Sequence, residues 1–160
     1  MGPVSEPKHE EEQRLVASNR KARFEYHVLE DVECGIALRG TEVKSLRAGQ
    51  CSIAEAYGMV RKGELWLIGS HIQEYAQGNV HNHVPTRDRK LLLHKRELQR
   101  WHQKVKERGV TIVPLAMYFK GSRVKVQMAL CKGKKLYDKR QDKRDKDDRR
   151  EIERAMARRR

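Results

Sequence analysis

Histidines at 81 and 83, a Gly133-Lys134-Lys135 run, three cysteines and cations interleaved with aromatic rings are where this sequence could carry chemistry. Two histidines at i, i+2 hold a metal only if further ligands converge from elsewhere. Cys34, Cys51 and Cys131 are scattered, with no C-x-x-C pair and no histidine at metal spacing. A solvated loop is the reading the residues favour for His81-Asn82-His83. A metal-dependent nuclease using His81 and His83 is kept as the alternative. Gly133-Lys134-Lys135 ends like a phosphate loop, but Met128 stands where that loop needs its first glycine and no Ser or Thr follows Lys134. There is no G-x-S-x-G elbow and no cysteine beside a histidine base. Nothing here points to catalysis, and the cysteines read as small buried hydrophobes of a reducing cytoplasm.

The cations remain. The 160 residues carry a formal net charge of +14; residues 19–131 contribute +9, and the last 29 residues hold fourteen Lys/Arg against seven Asp/Glu. Such a surplus points to nucleic acid, with an anionic membrane surface as the lesser option. Arg20, Lys21 and Arg23 sit beside Phe24 and Tyr26, and Tyr137 stands between Lys134-Lys135 and Lys139-Arg140. Cations meet phosphates while rings stack on unpaired bases, a combination suited to RNA loops. For Phe24 and Tyr26, packing in the core competes evenly with contact; Tyr137, in a segment with no core, reads as a contact. Glu33, ahead of Gly35, is an acidic exception that by itself reads as a surface charge at a strand end. No apolar run approaches a membrane span and the acidic N-terminus does not resemble a secretory signal, so a soluble, cytoplasmic protein is expected.

The elements that must position these residues read as mainly β. Arg123 to Cys131 alternates as a half-buried strand with a basic outer face, and Val110 to Phe119 precedes it across a Lys120-Gly121-Ser122 turn, with Pro114 marking an edge or bulge. A second hairpin runs over 52–60 and 64–68, and further strands fall at 25–33 and 72–75. Leu98, Trp101 and Val105 give a helix within 94–108, stopped by Gly109; 41–48 is a shorter helix with Thr41 as N-cap. Residues 76–90 read as a long loop bringing Arg87, Arg89 and Lys90 to the body. The expected architecture is a polar flexible leader over 1–18, a small antiparallel barrel of oligonucleotide-binding type with two or three helices over 19–131, and a basic tail over 132–160. The tail has too little apolar material to order itself alone, yet Asp142 to Lys146 and Asp145 to Arg149 are spaced for a helix once a partner neutralises the charge.

Several blocks resemble the SsrA-binding protein family: Asn19-Arg20-Lys21-Ala22-Arg23 with Tyr26, Glu33 to Leu38, Gly40 to Gly49, Pro85 to His94, and Ala129 to Arg140. The resemblance runs in order over residues 19 to 140. It implies a non-enzymatic adaptor that binds the tRNA-like domain of transfer-messenger RNA and brings it to stalled ribosomes for trans-translation. The tail would occupy the small-subunit decoding centre and the empty mRNA channel, and the elongation factor that delivers aminoacyl-tRNA is a further implied partner. No cofactor and a monomeric chain are expected. By position, Asn19, Arg20, Lys21, Tyr26, Glu33, Lys44, Arg47, Arg87, Arg89, Lys90, Leu92 and His94 form the implied RNA-binding set, in which Glu33 becomes a discriminator of base edges. Lys132, Lys134, Lys135, Tyr137, Asp138, Lys139, Arg140 and Met156 form the implied ribosome-facing set.

Overall fold

The computed structural model describes residues 12–78, 81–134 and 136–158. In chain order they form β1 (Gln13–Ser18), α1 (Arg20–Glu25), β2 (Tyr26–Ile36), α2 (Gly40–Arg47), β3 (Cys51–Ser52), β4 (Tyr57–Arg61) and β5 (Glu64–Ile68). There follow β6 (His71–Ile72), β7 (Arg89–Leu92), α3 (Lys95–Lys104), β8 (Val110–Lys120), β9 (Arg123–Gly133) and α4 (Leu136–Arg158). The antiparallel pairings run β8–β4–β5–β7–β2–β9 and return to β8, so the sheet closes into a barrel. Closure removes most of the edge that an open sheet of this size would expose, and β1 is appended to β8 outside the ring.

Two long strands make the closure possible by changing partners along their length. Tyr26 to Gly35 of β2 pairs with β9, while Gly35 and Ile36 pair with Leu92 and Leu91 of β7. On one edge of β8, Ile112 faces Gly58 of β4, and Ala116 to Lys120 face β1. The register slips between Pro114 and Ala116, where a residue without an N–H can sit. Gly58 is required by proximity, since a Cβ there would lie 2.7 Å from Ile112 Cγ2. The β4–β5 hairpin turns on Lys62 and Gly63, both at positive φ, as a two-residue turn of matching twist demands.

Both faces of the β8–β9 hairpin are apolar, and each has its own cover. Ile112, Met117, Val126, Met128 and Leu130 join Leu65, Leu67, Leu91 and Trp101 in the main core. Val113, Leu115, Ala129 and Cys131 face the other way and are covered by Ala22 of α1, with Tyr26 against them. Each large side chain removed from water in this way stabilises the fold by roughly 1.5–3 kcal/mol.

Several expectations need correction. Residues 13–18, expected to belong to a flexible leader, form β1, because the second half of β8 needs an edge partner; residues 1–11 lie outside the described residues. The hairpin strand expected over 52–60 is broken by a turn that buries Ile53 and Ala56, and the strand expected over 72–75 ends at Ile72. The helix within 94–108 stops at Lys104, and Gly109, φ +81°, instead opens β8. Thr41 is not the N-cap of α2. Arg39 is, and its N–H donates to the Glu42 carboxylate 2.8 Å away. Within 19–131 the described residues hold three helices, α1, α2 and α3, in keeping with the two or three expected there, and the tail adds α4.

Candidate nucleic-acid interface

Strand β2 carries Glu33 on its outer side, facing Gln127 of β9. Tyr118 of β8 donates its hydroxyl to Glu33, and Lys120 Nζ lies 3.3 Å from the other carboxylate oxygen. The Tyr118 hydrogen bond and the Lys120 charge hold this carboxyl below its ordinary value despite partial burial. Burial and the carboxylate beside it push the Tyr118 phenol up. Glu33 is therefore a fixed, ionised acceptor, and a carboxylate with about four lone-pair sites keeps capacity for a base amino group after two are used. Next to it, Gly35 is paired with Leu92, and a Cβ on that glycine would stand 3.3 Å from Leu92 Cβ. Leu92 is 51% exposed, and His94 is exposed as the N-cap residue of α3. The Glu33 carboxylate, the exposed Leu92 side chain and the His94 imidazole thus share one end of β2 and β7.

A second group is held from below. Glu42 of α2 is fully buried between Arg87 Nη2 and Arg89 Nε, each 2.5 Å from a carboxylate oxygen. Burial raises its pKa, but the Arg39 N–H and the two guanidiniums outweigh that and leave it lowered. Arg89 also donates to Ser70 Oγ (2.9 Å), Ser70 O (3.1 Å) and Pro85 O (3.0 Å). Its assignment to the RNA-binding set is therefore corrected: a guanidinium with no exposed surface and its donors engaged ties the loop before β7 to α2. Asn19 is corrected for the same reason. It is 5% exposed, caps α1 by accepting from Ala22 N (3.2 Å), and donates to Pro114 O (3.0 Å).

The other cations of the set lie closer to water. Lys44 and Arg47 are exposed on α2, with Lys44 Nζ 5.5 Å from the centre of the Tyr75 ring. Arg20 and Lys21 are exposed on α1; Lys90 is half-buried and paired with Glu64 at 2.9 Å. Arg87 is half-buried and already committed to Glu42. Phe24 is 46% exposed and so lies outside the core, lining a cleft between α1 and α4, and Tyr26 is half-buried.

His83 is not a solvated loop residue. It is 2% exposed, with Nδ1 2.8 Å from Thr41 Oγ1 and Nε2 2.9 Å from Ile72 O. A carbonyl can only accept, so Nε2 carries the proton and Nδ1 accepts from the threonine hydroxyl. Both ring nitrogens are engaged, which leaves the nuclease alternative no ligand pair. His81 is exposed, and among the described residues no three His, Cys, Asp or Glu side chains converge to hold a metal ion. Burial pushes the thiols up, Cys34 to about 12 and Cys51 and Cys131 to about 11, as expected of packing groups.

In the ribosome-facing set, Lys132 is exposed at the end of β9, and Lys134 donates to Arg23 O at 3.3 Å and pairs with Asp142 of α4. Lys135 lies outside the described residues; of Tyr137 and Asp138 only the backbone, in the first turn of α4, is described. Lys139 is half-buried, while Arg140 and every residue from there to Ala157 are exposed, Met156 at 67%.

Residues 16–158 match the family described as SmpB protein. The chain belongs to that family. It is 51% identical over 144 residues to the SsrA-binding protein of Carboxydothermus hydrogenoformans, covering 90% of this chain and 97% of that one. With the SsrA-binding protein of Kineococcus radiotolerans it shares 53% over 146 residues, 91% of this chain and 94% of the relative. A chain of the solved structure "tmRNA-SmpB: a journey to the center of the bacterial ribosome" superposes with a TM-score of 0.63 at 48% identity, covering 74% of this chain and 84% of that one. The SmpB match extends through α4, beyond the motif blocks that end at Arg140.

Sequence reasoning missed the supports of this interface. Tyr118 and Lys120 hold Glu33, and Glu42 neutralises Arg87 and Arg89. A signal existed for the first pair: the hairpin turn at Gly121 sets Tyr118 opposite Lys125, one strand away from Glu33. None existed for the second, since Glu42 sits in a helix next to exposed lysine and arginine.

Proposed function

We propose that this chain is an RNA-binding adaptor that binds the tRNA-like domain of transfer-messenger RNA and carries it to stalled ribosomes for trans-translation. The carrying observation is the near-end-to-end identity of about half with proteins named for binding SsrA RNA. Exposed Arg20, Lys44 and Arg47 supply phosphate affinity, and the fixed Glu33 carboxylate beside Leu92 and His94 supplies base-edge discrimination. The chain acts without catalysis, as a soluble cytoplasmic protein. Affinity for the tRNA-like domain, measured against an unrelated hairpin at one salt concentration, tests the reading; equal affinities would overturn it.

The tail plays a separable part, entering the decoding centre and the empty mRNA channel. From Arg140 to Ala157 every residue of α4 is exposed and its approach to the body is confined to α1 and Lys134, so tertiary packing adds little to it and a helix this charged is marginal alone. It forms fully when ribosomal phosphates neutralise its cations. A protein truncated before Lys132 keeps RNA affinity within about tenfold and loses peptide tagging; tagging that survives truncation would refute the assignment.

A further inference from the structure

A cleft of about 300 Å³ opens between α1 and the turn leading into β4. It is at the small end of ligand sites, which run roughly 300–1,000 Å³, with room for a planar ring and none for a duplex. Tyr26, half-buried, and Tyr57, 44% exposed, both line it, above the buried side chain of Val113. Its charged lining is Lys21, Glu25 and Glu55, with Lys21 Nζ 3.4 Å from Glu55 and 3.9 Å from Glu25. These three side chains sum to a negative charge in a body whose residues 19–131 carry +9.

That inversion of sign restricts the occupant. A phosphate is repelled by two carboxylates against one ammonium. A basic peptide is repelled by the exposed Arg20 and Arg23 on the same helix. A flat heterocycle with an amino edge meets neither objection: its ring lies on tyrosine, its amino group donates to a carboxylate, and its flanking phosphates fall to the arginines.

We propose that this cleft takes one unpaired nucleobase bearing an exocyclic amino group, stacked on Tyr57 and read by Glu55. It rests on the RNA-binding reading above and adds a site separate from Glu33. Tyr26 begins β2 opposite Gly133, the last residue of β9, whereas Glu33 lies seven residues on, roughly 23 Å along an extended strand. The slot thus sits at the root of the tail, and the base comes either from the tRNA-like domain or from ribosomal RNA.

The test uses the full chain and single-stranded oligo(C) and oligo(U), whose bases differ by one amino group against a carbonyl. At fixed salt the parent binds oligo(C) roughly tenfold more tightly. Tyr57→Ala loses roughly tenfold for both, Tyr57→Phe retains the parent affinities, and Glu55→Gln abolishes the difference between the two; circular dichroism melts confirm that each variant is folded. No preference in the parent, or unchanged binding by Tyr57→Ala, overturns the proposal. Binding of Tyr57→Ala to the tRNA-like domain and to ribosomes is then measured separately: a loss confined to one identifies the source of the base, and a loss in neither overturns the site. A parent that selects the tRNA-like domain yet shows no oligo(C) preference sinks the slot alone, while the reverse pattern sinks the adaptor reading and leaves the slot.

Discussion

Glu42→Gln removes one negative charge from a place where two guanidiniums depend on it. Glu42 and Arg89 are both fully buried, so the substitution leaves Arg89 charged, desolvated and without a counterion, and sets an amide against two donors. Breaking a buried pair from one side destabilises by about 3–5 kcal/mol. The folded body of this chain melts roughly 4 °C lower per kcal/mol lost, so a fall of roughly 12–20 °C is expected by differential scanning calorimetry at pH 7. Arg61→Ala is the control. Its ion pair with Asp88 (3.5 Å) and its stacking on Trp66 (4.9 Å) are half-exposed, and their loss should amount to about 1 kcal/mol or less. Acid provides a second arm. Because Glu42's folded pKa is lowered, its contribution is complete above the free glutamate value of about 4.3 and is lost as pH falls through the folded value. Parent stability should therefore decline below that range, and the decline should be shallower in Glu42→Gln. A variant melting within about 2 °C of the parent, or one with the same acid limb, would refute the idea that this carboxylate neutralises the two arginines.

Gly58→Ala forces a methyl group against Ile112 and should destabilise by about 1–3 kcal/mol in a denaturant titration, since the barrel closes at that pair. Glu33→Gln should leave the melting temperature nearly unchanged while lowering discrimination between the tRNA-like domain and an unrelated hairpin by roughly tenfold; a uniform loss on both RNAs would contradict a base-edge role. Histidine substitution separates the two loop residues: His83→Leu strands Thr41 and the Ile72 carbonyl and should lower stability by about 1–3 kcal/mol, whereas His81→Ala stays within about 0.5 kcal/mol, and incubation of the parent with RNA and divalent metal should yield no cleavage that either change abolishes.

The β8–β9 hairpin was readable because alternation and a glycine turn are local. The alternation of β8 was ambiguous for a physical reason: Val113 and Leu115 are as buried as Ile112 and Met117, since α1 covers the outside of the barrel wall there. No periodicity within one strand can announce a helix on its far face. β1 was missed because Gln13 to Ser18 is mostly exposed and owes its extended form to the edge of β8, a hundred residues away. In the interface, motif blocks marked Glu33, Leu92 and His94, and the structure brings them together. The same blocks also contained Arg89 and Asn19, whose types suit RNA as well as they suit a buried network. Only their partners, Glu42, Ser70 and the Pro114 carbonyl, distinguish the two uses.

The handover along β8 bears on where the chain can be cut. A fragment starting at Asn19 would look complete by its motifs, yet it would strip β1 from Ala116 to Lys120 and leave the amides and carbonyls on that edge unpaired beside Met117 and Phe119, while the other edge stays paired with β9. Such a stretch is a template for a second molecule to add its own strand. β1, mostly exposed and polar in its first half, therefore covers an edge flanked by apolar side chains, and a boundary drawn from the RNA-binding motifs alone would uncover it.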